Sequence, residues 1–346
     1  MKRFSYCLMM GLLPAAVWAD DNPAPVCSPE KTAEVLAAAT PNKRSVRLDC
    51  SLTLPPNQVV EKNVELIGEQ AGRVVLDCQG SRLVRREGES DNLSIRSEWR
   101  DNGWSRPHGI TIRNCRIDGA LRISGMDDER WKQASFVRDN TAAIQNAAPY
   151  DILLENLEIN GSSRVPLYLR PGVTGVTLRN SRIGGWSQGP AVYLDAETAN
   201  NVLLDNVIAV TTPREQLAVD GSAKNLIAGN RFPNPKNGGI YLYRNCGERG
   251  MVRHQTPSYN RIIGNYFDNK SARFFRPMIW LSSRNGWRKF CRDDSGYDFG
   301  SSADNKDYAE YNEVSGNRFA RYLGWWTIRD SSKDNRVQGN IKAPVN

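Results

Sequence analysis

Two carboxylates occupy the same place in two similar segments of the sequence. Asp195 ends the segment AVYLD, and Asp220 ends the segment QLAVD. If these segments are neighbouring strands of one sheet, the two Cα atoms lie about 4.8 Å apart. Carboxylates at that distance repel each other, so the pKa of one is raised unless a cation lies between them. The pair therefore predicts an acid/base pair or a Ca²⁺ site with oxygen ligands, the alternative being a solvated ion ladder with Arg170 and Arg244.

The densest group of titratable side chains follows a third segment of this kind, GIYLYR, and continues to His254. Histidine titrates near neutral pH and is the commonest general base, so a catalytic role is predicted for His254. Tyr243 and Arg244 end the segment, and Arg249 and Arg253 lie in the insertion that follows it. The predicted catalytic residues are His254, Tyr243, Arg244, Asp220 and Asp195.

Seven segments alternate apolar residues with aromatic, polar or charged ones. They are ALRIS (120–124), VPLYLR (165–170), AVYLD (191–195), QLAVD (216–220), GIYLYR (239–244), MIWLS (278–282) and WWTIR (325–329). Outward aromatic rings offer faces to sugar rings, and the guanidinium fork of Arg matches a carboxylate. Aromatic residues also favour any sheet surface, so a plain outer face is the alternative to a binding groove. The predicted substrate-binding residues are Tyr168, Arg170, Tyr193, Tyr241, Trp280, Arg249 and Arg253.

The strands that must position these residues belong to a repeat with a period of 24 to 26 residues. Its clearest copies are ILLENLEI (152–159), VTLRNSRI (176–183), VLLDNVIA (202–209) and LIAGNRFP (226–233). A fixed period indicates a solenoid, and alternation of apolar residues indicates β-strands. Each copy contains an Asn, which predicts a ladder of stacked, inward-facing amides. These Asn residues are Asn114, Asn156, Asn180, Asn206, Asn230, Asn265, Asn317 and Asn340. The predicted fold is all-β, a single-stranded parallel β-helix.

The amino-terminal residues 1–19 are typical of a secretory signal peptide, because a basic start precedes a short apolar run and a small-residue cleavage site. Residues 20–346 are predicted to form one β-helix domain. Ser28 and Pro29 precede EKTAEVLAAA, which predicts an N-capped helix over the open end of the solenoid. Loop insertions are predicted near 85–107, 125–140, 244–260 and 284–312.

Six cysteines remain once Cys7 is removed with the signal peptide, and an even number in an exported chain predicts disulfides. Three pairs are predicted: Cys246–Cys291, which joins two insertions, and Cys27–Cys50 and Cys78–Cys115 in the first coils.

The charge balance favours an anionic partner. The net charge is +8, and +6 without Lys2 and Arg3. No nucleic-acid motif is present, so an acidic polysaccharide is the predicted partner rather than nucleic acid. No apolar run is long enough for membrane insertion. The protein is predicted to be exported, to the periplasm or the extracellular space, and its oligomeric state is left open.

The VVLDCQG coil (74–80) after a capped helix, the repeated Asn turns and the exported context resemble the pectin-lyase-like superfamily. The resemblance covers roughly residues 45 to 345 and implies a right-handed parallel β-helix. It also implies action on a polysaccharide along an outer sheet, as a lyase, a hydrolase or a C5-epimerase. The N-T-D, D-D and G-H-G motifs of polygalacturonases and the D-P-H-D motif of mannuronan epimerases are absent from this sequence.

The leading functional prediction is β-elimination or C5 epimerisation of a uronate-containing polysaccharide. Arg170 and Arg244 would neutralise the uronate carboxylate, His254 or Tyr243 would take the C5 proton, and Tyr241 or Tyr243 would protonate the leaving oxygen. Two alternatives remain. One is a glycoside hydrolase that uses Asp195 and Asp220 as its carboxyl pair. The other is a non-catalytic factor that binds polysaccharide during export or assembly.

Overall fold

The computed structural model describes residues 23–84, 91–268, 275–285, 294–321 and 326–344. The predicted signal peptide lies outside these residues. So does Cys291, and with it the predicted Cys246–Cys291 disulfide.

Within these residues the chain winds through ten coils, each of which contributes one strand to each of three parallel sheets. Sheet 1 consists of β1 (Ser45–Arg47), β4 (Asn63–Ile67), β7 (Leu93–Arg96), β12 (Leu121–Ser124), β15 (Leu167–Leu169), β18 (Val192–Leu194), β21 (Leu217–Asp220), β24 (Ile240–Tyr243), β27 (Ile279–Leu281) and β30 (Ile328–Asp330). Sheet 2 consists of β2 (Leu52–Thr53), β5 (Val75–Asp77), β10 (His108–Arg113), β13 (Tyr150–Glu155), β16 (Thr174–Arg179), β19 (Val202–Leu204), β22 (Leu226–Ala228), β25 (Arg261–Ile263), β28 (Glu313–Ser315) and β31 (Arg336–Gln338). Sheet 3 consists of β3 (Val59–Val60), β6 (Arg82–Val84), β11 (Arg116–Asp118), β14 (Glu158–Ser163), β17 (Arg182–Ser187), β20 (Val207–Ile208), β23 (Arg231–Pro233), β26 (Tyr266–Asp268), β29 (Arg318–Phe319) and β32 (Ile341–Lys342).

The remaining elements decorate the coils. They are the antiparallel hairpin β8 (Glu98–Arg100) and β9 (Gly103–Ser105), the helices α1 (Pro29–Leu36), α2 (Asp128–Ser135), α3 (Thr141–Asn146) and α4 (Gly300–Asp304), and the 3-10 turns Glu69–Ala71 and Glu248–Gly250.

The predicted fold class, a parallel β-helix, is confirmed by this topology. Inward-facing apolar residues of all three sheets form one continuous buried cluster that runs from the first coil to the ninth. In sheet 1 the inner row stacks Leu169, Leu194, Val219, Leu242 and Leu281 on successive coils. The core thus comes from the alternation that the sequence displays.

The helix predicted after Ser28 is present as α1. The Ser28 hydroxyl accepts the Lys31 backbone N–H at 3.2 Å, Pro29 is the first helical residue, and Val35 is buried in the core. Its role as the cover of the open end stays a prediction.

Two of the predicted disulfides are present, Cys27–Cys50 and Cys78–Cys115. Each joins neighbouring coils at the amino-terminal end, where the Cα atoms lie 4.9 and 4.8 Å apart.

The predicted loop near 85–107 is wrong in part. Strand β7 lies inside it and pairs with β4 and β12 in sheet 1, and the hairpin β8–β9 projects after it. The single strand LSIR is too short to show periodicity next to the charged residues around it. The insertion near 125–140 folds into α2 and leads into α3, whereas that near 244–260 is mostly irregular.

The predicted single Asn row is in fact two adjacent rows. Asn114, Asn156 and Asn180 have positive φ (56°, 53° and 50°), a conformation in which Asn is tolerated. The buried ladder starts one residue later, where Ser181 precedes Asn206 on the next coil. Its Asn members are Asn206, Asn230, Asn265, Asn317 and Asn340. A second ladder at the other end of sheet 2, which sequence analysis missed, comprises Asn201, Asn225, Asn260, Asn312 and Asn335.

Replacing Asn230 by Ala is expected to destabilise the protein by about 2–3 kcal/mol, because buried partners lose their hydrogen bonds. The Asn230 side chain accepts the backbone N–H of Asn206 at 3.0 Å and donates to the Leu203 carbonyl at 2.8 Å. The measurement is the free energy of unfolding in denaturant. Asn156→Gly is the control, because Asn156 is exposed and Gly accepts its positive φ. An equal loss in both variants would contradict the ladder's role in stability.

Candidate active site on the outer face of sheet 1

The register of sheet 1 places the predicted aromatic residues in one outward row. Tyr168, Tyr193, Ala218, Tyr241 and Trp280 follow one another on successive coils. The last coil differs from the sequence alignment by two positions, so that Arg329 rather than Thr327 continues the row after Trp280. The second outward row places Asp220 beside Tyr243.

This face is not open along its whole length, because the insertions after the sheet 1 strands fold back over it. Asp195 is 3% exposed, and Asp220 and Tyr243 are 0% exposed, although all three point away from the solenoid core. Tyr168 and Tyr193 are half-buried. The array as a whole therefore does not face solvent.

A buried arginine lies between the two predicted carboxylates. The Nη2 atom of Arg253 is 3.1 Å from Asp195 Oδ1 and 3.4 Å from Asp220 Oδ2. Burial lowers the pKa of Arg253, but Asp220 and Asp195 more than offset this and hold it well above its ordinary value. This guanidinium fills the place predicted for Ca²⁺, so a metal ion is not required to neutralise the pair.

Each of the two carboxylates accepts a tyrosine hydroxyl from the preceding coil. Tyr168 donates to Asp195 Oδ2, and Tyr193 donates to Asp220 Oδ2 at 2.5 Å. Asp220 also accepts the backbone N–H of Asn245 at 2.8 Å and its side-chain amide at 2.7 Å. Burial raises the pKa of Asp220 to about 6; Arg253 opposes this shift and Asp195 adds to it. Burial and the Asp220 charge raise the pKa of the Tyr193 hydroxyl well above its ordinary value.

A second tyrosine–carboxylate pair lies next to the first. Tyr243 donates to Glu215 Oε1 at 2.8 Å, and Glu215 is also paired with Arg214. The Arg284 guanidinium covers the Tyr243 ring at 3.8 Å from its centroid. Burial, with Glu215, raises the pKa of Tyr243 well above its ordinary value, so this hydroxyl keeps its proton at neutral pH.

The structure does not bring His254 to the carboxylate pair. Its Nε2 atom lies 3.0 Å from the Ser135 carbonyl oxygen, and its ring stacks on Phe299. The backbone N–H of His254 donates to the buried Glu197 carboxylate at 2.7 Å. The side chains of Arg253 and His254 point in opposite directions. Arg253 points toward the carboxylates, and His254 points toward Ser135. The prediction of His254 as the base at this pair is not supported by this placement.

The other predicted arginines are also engaged elsewhere. Arg244 is buried and donates to the Lys306 carbonyl at 2.7 Å, with Asp304 at 3.6 Å, so it holds an insertion in place instead of binding substrate. Arg170 and the exposed Arg249 both pair with Asp128 at the start of α2. The alternative of an ion ladder that joins Arg170 and Arg244 to Asp195 and Asp220 is therefore wrong, and Arg253 is the cation at this pair.

A cleft of about 870 Å³ opens beside these groups, between β18 and the carboxyl-terminal coils. Tyr193 forms part of its wall, as do Tyr241 and Trp280. Tyr241 packs edge-on against Trp280 with ring centroids 5.5 Å apart, and Arg329 lies over the Trp280 ring at 4.6 Å. The charged residues that line the cleft are Arg214, Glu215, Glu248, Arg276, Arg284 and Arg329. Four arginines against two glutamates give the cleft a positive balance, which suits an anionic ligand.

The described residues show neither a cluster of metal ligands nor a membrane-spanning helix. Over the described ranges, no group of three or more His, Cys, Asp or Glu side chains is arranged to hold a metal ion. None of the helices in these ranges has the length and apolar character needed to cross a bilayer.

Several cleft residues escaped sequence analysis. Glu215 precedes β21, and Arg276 and Arg284 flank β27, where they follow no periodic pattern. Asn245 and Glu248 could have been identified from the sequence, because they belong to the dense polar run after β24.

Comparisons with known proteins find distant structural likeness. No family model matches the chain, and no curated protein matches it. The mannuronan C-5 epimerase AlgE6 A-module of Azotobacter vinelandii is 12% identical with a TM-score of 0.43, over 84% of this chain and 80% of that one. A mutant of the periplasmic alginate epimerase AlgG is 12% identical with a TM-score of 0.40, over 86% and 78%. The endo-xylogalacturonan hydrolase of Aspergillus tubingensis is 10% identical with a TM-score of 0.29, over 83% and 92%.

The chain is a parallel β-helix. The three parallel sheets are sufficient to show this fold, and the resemblance to the pectin-lyase-like superfamily implies the same fold. At these scores the neighbours carry no argument about the reaction, so the function has to be argued from the site.

Proposed function

We propose that the protein is an exported polysaccharide-processing enzyme that removes the C5 proton from a uronate residue. Lyases and C5-epimerases share this step. The observation that supports it is Tyr193, which lines a cationic cleft and donates a hydrogen bond from its hydroxyl to the buried Asp220. The two disulfides favour an oxidising compartment and hence export.

Proton removal in this proposal uses Tyr193 and Asp220 as a relay. As the C5–H bond breaks, its proton passes to the Tyr193 oxygen, and the proton of that hydroxyl passes to Asp220. The relay is needed because the raised pKa of Tyr193 leaves almost no phenolate at neutral pH. The electron pair that remains on C5 is delocalised into the uronate carboxylate as an enolate.

The cleft arginines provide the charge that this intermediate needs. Arg284 and the exposed Arg276 line the cleft, and we assign them to the uronate carboxylate. Fixed cations at a developing enolate are worth most in a site that excludes bulk water. Trp280 and Tyr241 offer an aromatic wall to neighbouring sugar rings. Tyr243, fully buried beneath Arg284, serves as a positioning residue for Glu215 and Arg284.

The glycoside hydrolase alternative is not favoured by the site. Asp195 and Asp220 both face Arg253 and the tyrosine hydroxyls, and a glycosidic bond in the cleft cannot reach the two carboxyls together. Non-catalytic binding is the outcome that the experiment must separate from catalysis.

The test is a panel of uronate polymers and neutral polysaccharides incubated with the purified protein in deuterated water, with and without chelator. The expected result is deuterium at C5 of one uronate polymer, with or without the ultraviolet absorbance of an unsaturated product. Tight polymer binding without C5 exchange or new products would overturn the enzymatic proposal in favour of a binding factor.

The pH dependence of the reaction follows from Asp220. Its pKa of about 6 means that it is protonated below this pH and cannot then accept the proton of Tyr193. We expect kcat/KM to rise with pH through an acid limb centred near 6 and to level off above it. The measurement is kcat/KM in constant-ionic-strength buffers. A limb centred more than a unit lower would contradict Asp220 as the acceptor.

A further inference from the structure

A row of arginines follows the outer face of sheet 3, on a different side of the solenoid from the cleft. Register places Arg82, Arg116, Glu158 and Arg182 on successive coils. The row continues through Val207, Arg231, Tyr266 and Arg318. All five arginines are exposed. We call Arg82, Arg116, Arg182, Arg231 and Arg318 the sheet 3 arginine row.

The two halves of this row differ in how their charge is balanced. Arg82 pairs with Asp118 at 2.5 Å, and Arg116 lies 3.7 Å from Glu158. In contrast, Arg182, Arg231 and Arg318 make no ion pair with any residue that the structure describes. Arg231 instead lies over the Tyr266 ring at 5.4 Å. The second half of the row therefore carries three exposed arginines that have no ion-pair partner among the described residues.

The spacing of these three charges is regular. Arg182, Arg231 and Arg318 lie on alternate coils, so neighbouring members are about 9.6 Å apart if the coils follow the usual strand spacing. One sugar of an extended pyranose chain advances by about the distance that separates two neighbouring coils along the solenoid axis. In a chain with near-twofold symmetry, the carboxylates of every second uronate face the same side. The period of the arginines therefore matches the period of carboxylates along one edge of such a polymer.

The positive charge is only one residue wide. The neighbouring outward row of sheet 3 contains Asp118, Asn160, Gly184, Pro233 and Asp268 and no basic residue. A flat anionic surface would be met best by a broad basic patch, whereas a line of charge fits a linear polyanion.

We propose that the sheet 3 arginine row is a second, non-catalytic binding surface for a linear acidic polysaccharide. The inference takes its polymer class from the proposed function, but it requires no residue of the cleft. A polymer held there would be retained by the enzyme between turnovers at the cleft.

The experiment compares two triple variants of the mature protein that lose the same charge from different faces. The row variant is Arg182→Gln, Arg231→Gln and Arg318→Gln. The control is Arg113→Gln, Arg179→Gln and Arg261→Gln on sheet 2, where each arginine has an acidic partner in Asp77, Glu155 or Glu313. Binding of polygalacturonate and of alginate is measured at low and high salt, and thermal melting confirms that both variants are folded.

We expect the row variant to bind the acidic polymer roughly tenfold more weakly at low salt, and the control less than about twofold more weakly. The difference should shrink at high salt. Equal losses in the two variants, or none in either, would overturn the proposal. So would unchanged polymer binding together with lost binding to phosphatidylglycerol vesicles, which would assign the row to a membrane surface. Arg231→Gln alone, with an expected loss of about twofold, serves if the triple variant does not fold.

C5 exchange on short uronate oligosaccharides separates this proposal from the proposed function. If the row variant keeps wild-type exchange but loses polymer binding, both proposals hold. If no variant and no wild-type protein shows exchange, the enzymatic function fails while the row can still be established by binding.

Discussion

Replacing Tyr193 by Phe is expected to lower kcat/KM on the uronate polymer by about 10²–10⁴-fold, the usual contribution of a positioned acid/base group. The substitution removes the hydroxyl that Asp220 accepts and keeps the ring that packs edge-on against Tyr168 at 5.1 Å. The loss should appear in kcat with little change in KM, because the hydroxyl takes part in proton transfer and the arginines bind the carboxylate. Steady-state kinetics and C5 deuterium exchange both measure it.

Two further variants make this result specific. Tyr168→Phe removes an equivalent hydroxyl one coil earlier, which is bonded to Asp195 and does not line the cleft, so a much smaller loss is expected. Tyr259→Phe alters an exposed ring stacked on Tyr311 and should leave kcat/KM unchanged. Similar losses in Tyr193→Phe and Tyr168→Phe would indicate that the hydroxyls only support Arg253 and its carboxylates, and would remove Tyr193 from the mechanism.

The relay also predicts how the pH dependence of kcat/KM changes when Asp220 is replaced. Asp220→Asn cannot accept a proton, and it should lose both activity and the limb near pH 6. Asn keeps the hydrogen bond from Tyr193, so the packing of the cleft wall is expected to survive. Retained activity with an unchanged pH profile in Asp220→Asn would assign proton acceptance to another group.

The fold was predictable because its determinants are local and repeated. Apolar alternation in each copy of the repeat places Leu194, Val219 and Leu242 inside, and the same alternation aligns Tyr193 and Tyr241 outside. The ladder was found but misregistered, since Asn180 and Asn206 hold different positions one residue apart in their turns. Sequence alone cannot separate these positions, because Asn satisfies both a positive φ and a buried amide ladder.

The site was only partly predictable because loops without periodicity complete it. Alignment of coils identified Asp195 and Asp220 as neighbours that need a cation. It could not choose Arg253 over Arg170 or Arg244, since that depends on the path of the insertion after β24. Buried carboxylates fix that path: Glu197 accepts the backbone N–H of His254. Asp307 accepts those of Arg244 and Arg284 at 3.1 and 2.8 Å.

Replacing Arg253 by Met is expected to lower the free energy of unfolding by about 3–5 kcal/mol at pH 8. Methionine fills a similar volume but leaves Asp195 and Asp220 buried without their shared cation. The loss should be smaller at pH 5. The pKa of Asp220 is about 6 with Arg253 present and rises further without it, so Asp220 is then protonated and one of the two charges is removed. Denaturant unfolding at the two pH values measures both the loss and its pH dependence.

The pair of charges, and not the packing of one side chain, should account for this loss. Asp220→Asn in the Arg253→Met background is therefore expected to restore a large part of the stability, since one buried charge then remains where two repelled each other. Arg249→Met provides the matched control, because Arg249 lies in the same insertion with its side chain 67% exposed and should change stability by less than about 1 kcal/mol. Arg253→Lys, which keeps the charge but loses the fork, gives an intermediate loss and serves if the Met variant does not fold. No rescue by Asp220→Asn, or equal losses in the two Met variants, would mean that Arg253 does not hold the carboxylates together. The position of Asp220 on which the Tyr193 relay depends would then be contradicted as well.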